Sequence, residues 1–356
     1  KLSAHCARQV SRCTIMAPVT THAGLSMNRL SCTRVGFQRD TCHRSHVVWS
    51  RSLHTRSRRD SKLEVRCASN PIGVHALTWV GGWSEEECRH AASQSAKLGY
   101  DLVEIPLLEP KTVDGDMTKG IFQEYGLKAA SSLGLSFDAD ISSPDAECAA
   151  RGEELLNDAL SATIAMGGEY MCGILYSALG KYTSMPTKEG RQNCVAALKR
   201  VASRAADNGV TLGLEVVNRY ESNVLNTAAQ AVELIGEIDA PNVKIHLDAY
   251  HMNIEEQGFA QAIATAGDLL GYVHIGESHR GYLGTGSVDF PQLFRALEEN
   301  SYEGPITFES FSSQVVSPVL SNTLCIWRNT WEESEDVARQ AKQFMDVQIA
   351  AARRMD

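Results

Sequence analysis

Four residues of this sequence have types and positions that suit metal chemistry: Glu215, Asp248, His274 and Glu309. Glu215 ends the apolar run GLEVV, Asp248 ends VKIHLD, His274 sits within YVHIG, and Glu309 ends ITFES. Any one carboxylate at a strand end can be a satisfied structural residue. Three that converge with an imidazole are different, because like charges in one small space raise each other's pKa unless a cation neutralises them. Three carboxylates and one imidazole form a hard, oxygen-rich donor set. That set suits one divalent ion, Mn²⁺ ahead of Co²⁺ or Mg²⁺, rather than zinc, which favours Cys and His.

Convergence requires a scaffold. From Pro71 onward, short apolar runs alternate with longer helical patterns. The runs 72–79, 101–105, 127–136, 170–177, 211–217, 243–248, 271–276 and 304–310 read as strands. Helical patterns fill 85–98, 113–125, 145–166, 187–208, 228–238, the stretch after 248 as far as 266, 290–299 and 333–353. Ser84 followed by Glu87 forms a capping box that starts the first of these helices, and Gly99 ends it. Eight strands alternating with eight helices predict a single-domain (β/α)8 TIM barrel over residues 69–356. A doubly wound open sheet would place a GxGxxG turn after the first strand, where this chain has WVGGWS.

Strand alternation then sets direction. In the fifth strand Leu212, Leu214 and Val216 share one face, with Thr211, Gly213 and Glu215 on the other. The sixth, seventh and eighth strands divide in the same way, with Asp248, His274 and Glu309 on the more polar set. The polar sets belong inside the barrel, so the four residues are expected to meet at its C-terminal mouth. His246 shares the interior parity of Asp248 and reads as a structural residue. Glu104 ends the second strand pointing inward, where it would support the site.

Charge is divided unevenly. Residues 1–68 hold 11 of the Arg and only 3 Asp+Glu, a net of +10, and the remainder carries −19. A leader rich in Arg and Ser and poor in acids, without a continuous apolar core, predicts an organelle transit peptide, plastid ahead of mitochondrion. A basic tail on a cytoplasmic protein, or sequence foreign to the natural chain, would look similar. The acidic remainder argues against a nucleic-acid partner. No apolar run is long enough to span a membrane, so no membrane partner is expected. Five scattered cysteines follow the leader without a CxxC pair, as reduced thiols rather than a disulfide framework.

The joint pattern GYDLVEI, GLEVVNRYE, VKIHLDAYHMNIEE, YVHIGESHRGYLGTGSVDF and ITFESF resembles the ketose 3-epimerases, the D-tagatose and D-psicose (allulose) 3-epimerases of the xylose-isomerase-like barrels. The resemblance covers residues 72–352. It implies that Glu215, Asp248, His274 and Glu309 hold the metal and that Glu215 and Glu309 also act as acid and base on opposite faces of the sugar. It implies that Glu221, His251 and Arg280 hold oxygens at the first three carbons, that Phe311 and Trp79 lie near the substrate, and that the protein is a homodimer or homotetramer. Trp83 falls in the same aromatic loop, and Tyr176 fits an aromatic position loosely. The first strand, HALTWVGG, is less aromatic than the family's.

The resemblance thus implies epimerisation of a free ketose at carbon 3, of the D-tagatose/D-sorbose or D-fructose/D-psicose type. The Gly-rich turn GTGSVDF could cradle a phosphate, but no Lys/Arg cluster accompanies it, and an unphosphorylated substrate is expected. Other readings on the same barrel are a hydroxypyruvate isomerase, an inosose dehydratase, an apurinic-site endonuclease or a non-catalytic sugar-binding protein.

Overall fold

A computed structural model describes residues 70–354. The expected leader, residues 1–68, lies outside them. Eight parallel strands close into a barrel in sequence order. They are β1 (Ile72–His75), β2 (Leu102–Pro106), β3 (Lys128–Leu135), β4 (Tyr170–Ala178), β5 (Thr211–Val216), β6 (Val243–Asp248), β7 (Leu270–Ile275) and β8 (Ile306–Phe308). Closure is made by β1 against β8, with Ile72 opposite Ile306 and Val74 opposite Phe308. The sheet is therefore closed, as the missing GxGxxG turn anticipated.

The outer helices are α1 (Glu85–Lys97), α2 (Gly115–Tyr125), α3 (Ala146–Ala165), α4 (Lys188–Asp207), α5 (Ala228–Ile238), α6 (Ala249–Glu255), α7 (Phe259–Ala266), α8 (Phe290–Glu299), α9 (Pro318–Thr323) and α10 (Ser334–Ala352). The Ser84–Glu87 capping box is present at α1. The helical stretch after β6 is two helices rather than one. Glu256 is extended at the end of α6, and the chain restarts at Gly258. The helix α9, in the long connection after β8, has no counterpart in the sequence reading.

Alternation along the strands divides the core in two. Val103, Met171, Leu212, Leu214, Ile245, Val273, Ile306 and Phe308 pack outward into the layer beneath the helices. Leu102, Ala130, Cys172 and Tyr272 form a separate cluster in the barrel interior. The Tyr272 hydroxyl meets Thr307 Oγ1 at 2.8 Å there. Above this plug the interior turns polar: Glu104 from β2, His246 from β6 and His274 from β7 are all buried. Cys88, Cys148, Cys172 and Cys194 are free and buried, as expected of reduced thiols, whereas Cys325 is free but exposed.

Candidate active site and metal centre

The C-terminal ends of β5 to β8 bring Glu215, Asp248, His274 and Glu309 together. The ring nitrogen Nδ1 of His274 lies 3.8 Å from Glu215 Oε1, 3.9 Å from Asp248 Oδ2 and 3.5 Å from Glu309 Oε1. Neither His274 Nδ1 nor Asp248 Oδ2 makes a hydrogen bond among the described residues. Oxygen and nitrogen ligands lie about 2.1 Å from a small divalent ion, so neighbouring ligands on one ion are separated by about 3–4 Å. The donors, their spacing and the two orphaned atoms all fit such an ion. Asp248, His274 and Glu309 form one compact ligand group, and Glu215 and Asp248 form another with His251.

The electrostatics carry the mark of crowded carboxylates. Burial pushes the Glu215 carboxyl up to about 8, and Asp248 and Glu104 push in the same direction against His274 and Arg280. Burial, the largest single influence, works against a charged His274, and the charge and hydrogen bond of Glu104 oppose it. Together with Glu215 and Asp248 they raise the imidazole to about 9. Without a metal ion the site thus supplies its own countercharge. A bound cation would reverse both preferences, because ligands bind it in their deprotonated forms.

The loop residues complete the wall. His251 Nδ1 accepts the backbone N–H of Asn218 at 3.1 Å, and burial keeps the ring neutral, so its proton sits on Nε2. That nitrogen faces Glu215 Oε1 at 3.6 Å and Glu221 Oε2 at 3.9 Å. Arg280 is ion-paired with Glu309, and its guanidinium lies 4.1 Å from the Tyr250 ring centre and 4.9 Å from that of Phe311. Two aromatic faces therefore hold a cation that also reaches the site.

Two cavities open here, an inner one of about 160 Å³ and an outer one of about 260 Å³. Glu221, Arg280, Phe311 and Leu324 line both. The inner one also exposes Glu215, His274 and Glu309, and it has an aliphatic wall that includes Leu77, Leu107, Leu133 and Ile174.

Against this geometry the comparisons with known proteins are decisive. The xylose isomerase-like TIM barrel model matches residues 92–348. An L-ribulose 3-epimerase of Methylomonas sp. is 53% identical over 273 residues, spanning 77% of this chain and 96% of that protein. A ketose 3-epimerase of Arthrobacter globiformis is 47% identical over 285 residues, 80% of this chain and 99% of that protein. This chain belongs to the ketose 3-epimerases of that barrel family. A crystal structure of the D-allulose 3-epimerase from Methylomonas sp. in complex with D-allulose matches with a TM-score of 0.77 at 51% identity, covering 79% of this chain and 97% of that one. The chain is accordingly an isomerase acting on carbohydrates.

Not every aromatic expected near the substrate of this ketose 3-epimerase lines its cavities. Trp79 follows a short 3-10 turn and packs into the core beneath the helices, lining neither cavity. Trp83 donates from its ring N–H to Thr118 and packs edge-on against Phe122. Tyr176 is fully buried and donates to the carbonyl oxygen of Glu215, so it braces the strand end and does not line the wall. Phe311 does reach the cavities.

His75 and Ser132 line the inner cavity as well, and neither was singled out from the sequence. The clue for His75 was its interior parity at the end of β1. The Gly-rich turn is explained by Glu277, a fully buried carboxylate that accepts backbone N–H groups from Ser278 at 2.7 Å, Gly284 at 2.9 Å and Val288 at 3.3 Å. Those donors already serve a carboxylate, and Asp289 caps α8 as a helix start should. No helix among the described residues is long and apolar enough to cross a membrane.

Proposed function

We propose that this protein epimerises a free ketose at carbon 3, with Glu215 and Glu309 as the acid/base pair and with Glu215, Asp248, His274 and Glu309 holding one divalent ion, Mn²⁺ foremost. The observation that carries the reading is His274 Nδ1, unpaired and faced by three carboxylates within 3.9 Å. A divalent ion bound there supplies a Lewis-acid charge that offsets the negative charge developing on an enediolate.

The chain's own residues do the rest. Epimerisation removes a weakly acidic proton beside a carbonyl and returns one to the opposite face of the same carbon. Two carboxyl groups on opposite sides achieve this: one takes the proton as the other gives one, and their roles exchange in the reverse reaction. The two differ in surroundings: Glu309 is ion-paired with Arg280, whereas Glu215 Oε1 faces His251 Nε2 at 3.6 Å. Arg280 presents a fixed fork of donors to a substrate oxygen, and His251 presents an N–H from Nε2 beside Glu221.

The aliphatic wall of the inner cavity would pack against the carbons of a bound sugar and limit the water beside it. The relatives' names make L-ribulose and D-allulose the first substrates to try, with D-fructose and D-tagatose beside them. The turn pinned by Glu277 supports an unphosphorylated sugar. The deciding experiment incubates the protein with these ketoses and Mn²⁺, with a chelated control, and identifies products by chromatography. Carbon-3 epimers that vanish on chelation support the reading. Full activity after complete metal removal, or aldose products in place of epimers, would overturn it.

A further inference from the structure

Glu104 is a carboxylate at 0% exposure in the middle of the barrel interior. Among the described residues it forms no ion pair with Lys or Arg; its charged partners are His75 and His274. A buried carboxylate is costly to maintain unless it is paired and hydrogen-bonded. Its position is also unusual, since it arises on β2, whereas the residues of the metal centre arise on β5 to β8.

Its contacts point in one direction. Glu104 Oε2 lies 2.7 Å from His274 Nε2. The other nitrogen of that ring is the one that faces the three carboxylates. An imidazole can offer a lone pair from Nδ1 only if Nε2 carries the hydrogen, and a carboxylate is a strong acceptor for that N–H. The other oxygen of Glu104 makes no hydrogen bond among the described residues, and a second ring lies near it. His75 Nδ1 accepts the backbone N–H of Leu77 at 3.2 Å, and burial lowers the ring to about 4, so its hydrogen sits on Nε2. That nitrogen lies 3.5 Å from Glu104 Oε1 and 3.3 Å from Ser132 Oγ. A continuous line of contacts thus runs from the turn after β1, through His75 and Glu104, to His274.

We propose that Glu104 is the positioning residue of the metal centre: it fixes His274 in the tautomer that turns a bare Nδ1 toward Glu215, Asp248 and Glu309. This inference rests on the metal-dependent reading above. The same carboxylate adds a buried negative charge behind the ring, which strengthens His274 as a donor. Glu104 lines neither cavity.

The test measures Mn²⁺ binding by calorimetry on the full chain and its Glu104→Gln variant, which keeps the size of the side chain and removes its charge. The dissociation constant is expected to rise about 10- to 100-fold in the variant, the usual effect of losing a partner behind a metal ligand. A second measurement needs no variant. In the wild-type protein loaded with Mg²⁺, the ¹⁵N shifts of the His274 ring should show hydrogen on Nε2 and none on Nδ1. Hydrogen on Nδ1, or a variant that folds and binds Mn²⁺ within about twofold of wild type, would overturn the inference. If the variant fails to fold, the ring shifts alone decide. A wild-type chain that binds no Mn²⁺ defeats both this inference and the metal-dependent function. One that binds, with a variant that binds equally well, defeats this inference alone.

Discussion

At the scale of single residues, the proposed mechanism separates groups that would move protons from groups that would hold them in place. Glu215→Gln and Glu309→Gln each keep the shape of the side chain and remove its proton chemistry. Each is expected to lower kcat by about 10²- to 10⁴-fold, read in a coupled or chromatographic assay at saturating Mn²⁺. Metal affinity should also depend on pH in a defined direction. Glu215, raised to about 8, and His274, raised to about 9, hold protons below those values and must release them to bind the ion. Affinity should therefore strengthen as pH rises through that interval and weaken below it. Calorimetry at several pH values, with buffers of different ionisation heat to count released protons, checks this. Much of the residue-level picture was legible, since parity along β5 to β8 points Glu215, Asp248, His274 and Glu309 inward with no tertiary information. Trp79 was not legible, because the 3-10 turn after β1 breaks the strand period and rotates the ring into the apolar layer.

At the scale of elements, the loop after β7 is the part whose order depends most on one side chain. Glu277 accepts three backbone N–H groups from the turn that follows. Its backbone carbonyl accepts the N–H of Arg280, a residue in the left-handed region at φ 59. Glu277→Ala would strand three backbone donors, that of Val288 buried, and is expected to cost about 1–3 kcal/mol, read as a lower Tm, with reduced turnover because the turn that carries Arg280 loosens. Gly286 belongs to the same turn, where an added Cβ would lie 2.3 Å from Glu277 Oε1. In the barrel wall, a Cβ on Gly73 would lie 2.4 Å from Thr307 Oγ1 and 2.5 Å from a Leu102 methyl. Gly73→Ala should accordingly destabilise by about 1–3 kcal/mol in thermal or denaturant unfolding. Most strands and helices could be read from apolar period and caps. The break between α6 and α7 and the helix α9 could not, since short segments with mixed pattern take their form from what they pack against.

At the scale of the whole molecule, the described residues contain a complete closed barrel. The barrel closes within 72–308, and α10 returns to cover its start, the Tyr100 hydroxyl donating to the Ala338 carbonyl at 2.7 Å. Every residue proposed to act on the sugar lies in this body. A chain beginning at residue 69 should fold and keep the kcat and KM of the full chain, as steady-state assays on both would show. The ground for that boundary is the sharp change in charge between residues 1–68 and the remainder.

The closing strand has a further consequence. β8 is three residues long, it seals the cylinder against β1, and Glu309 follows it directly. During synthesis Glu309 is thus the last of the four proposed ligands to arrive, and it arrives with the seam. An ion gripped by Glu309 together with Glu215, Asp248 and His274 would act as a clasp on the joint that closes the cylinder. Amide exchange in β8 should then slow when Mn²⁺ is added, more than exchange in β3 or β4, so that loss of the ion and opening of the seam become a single event.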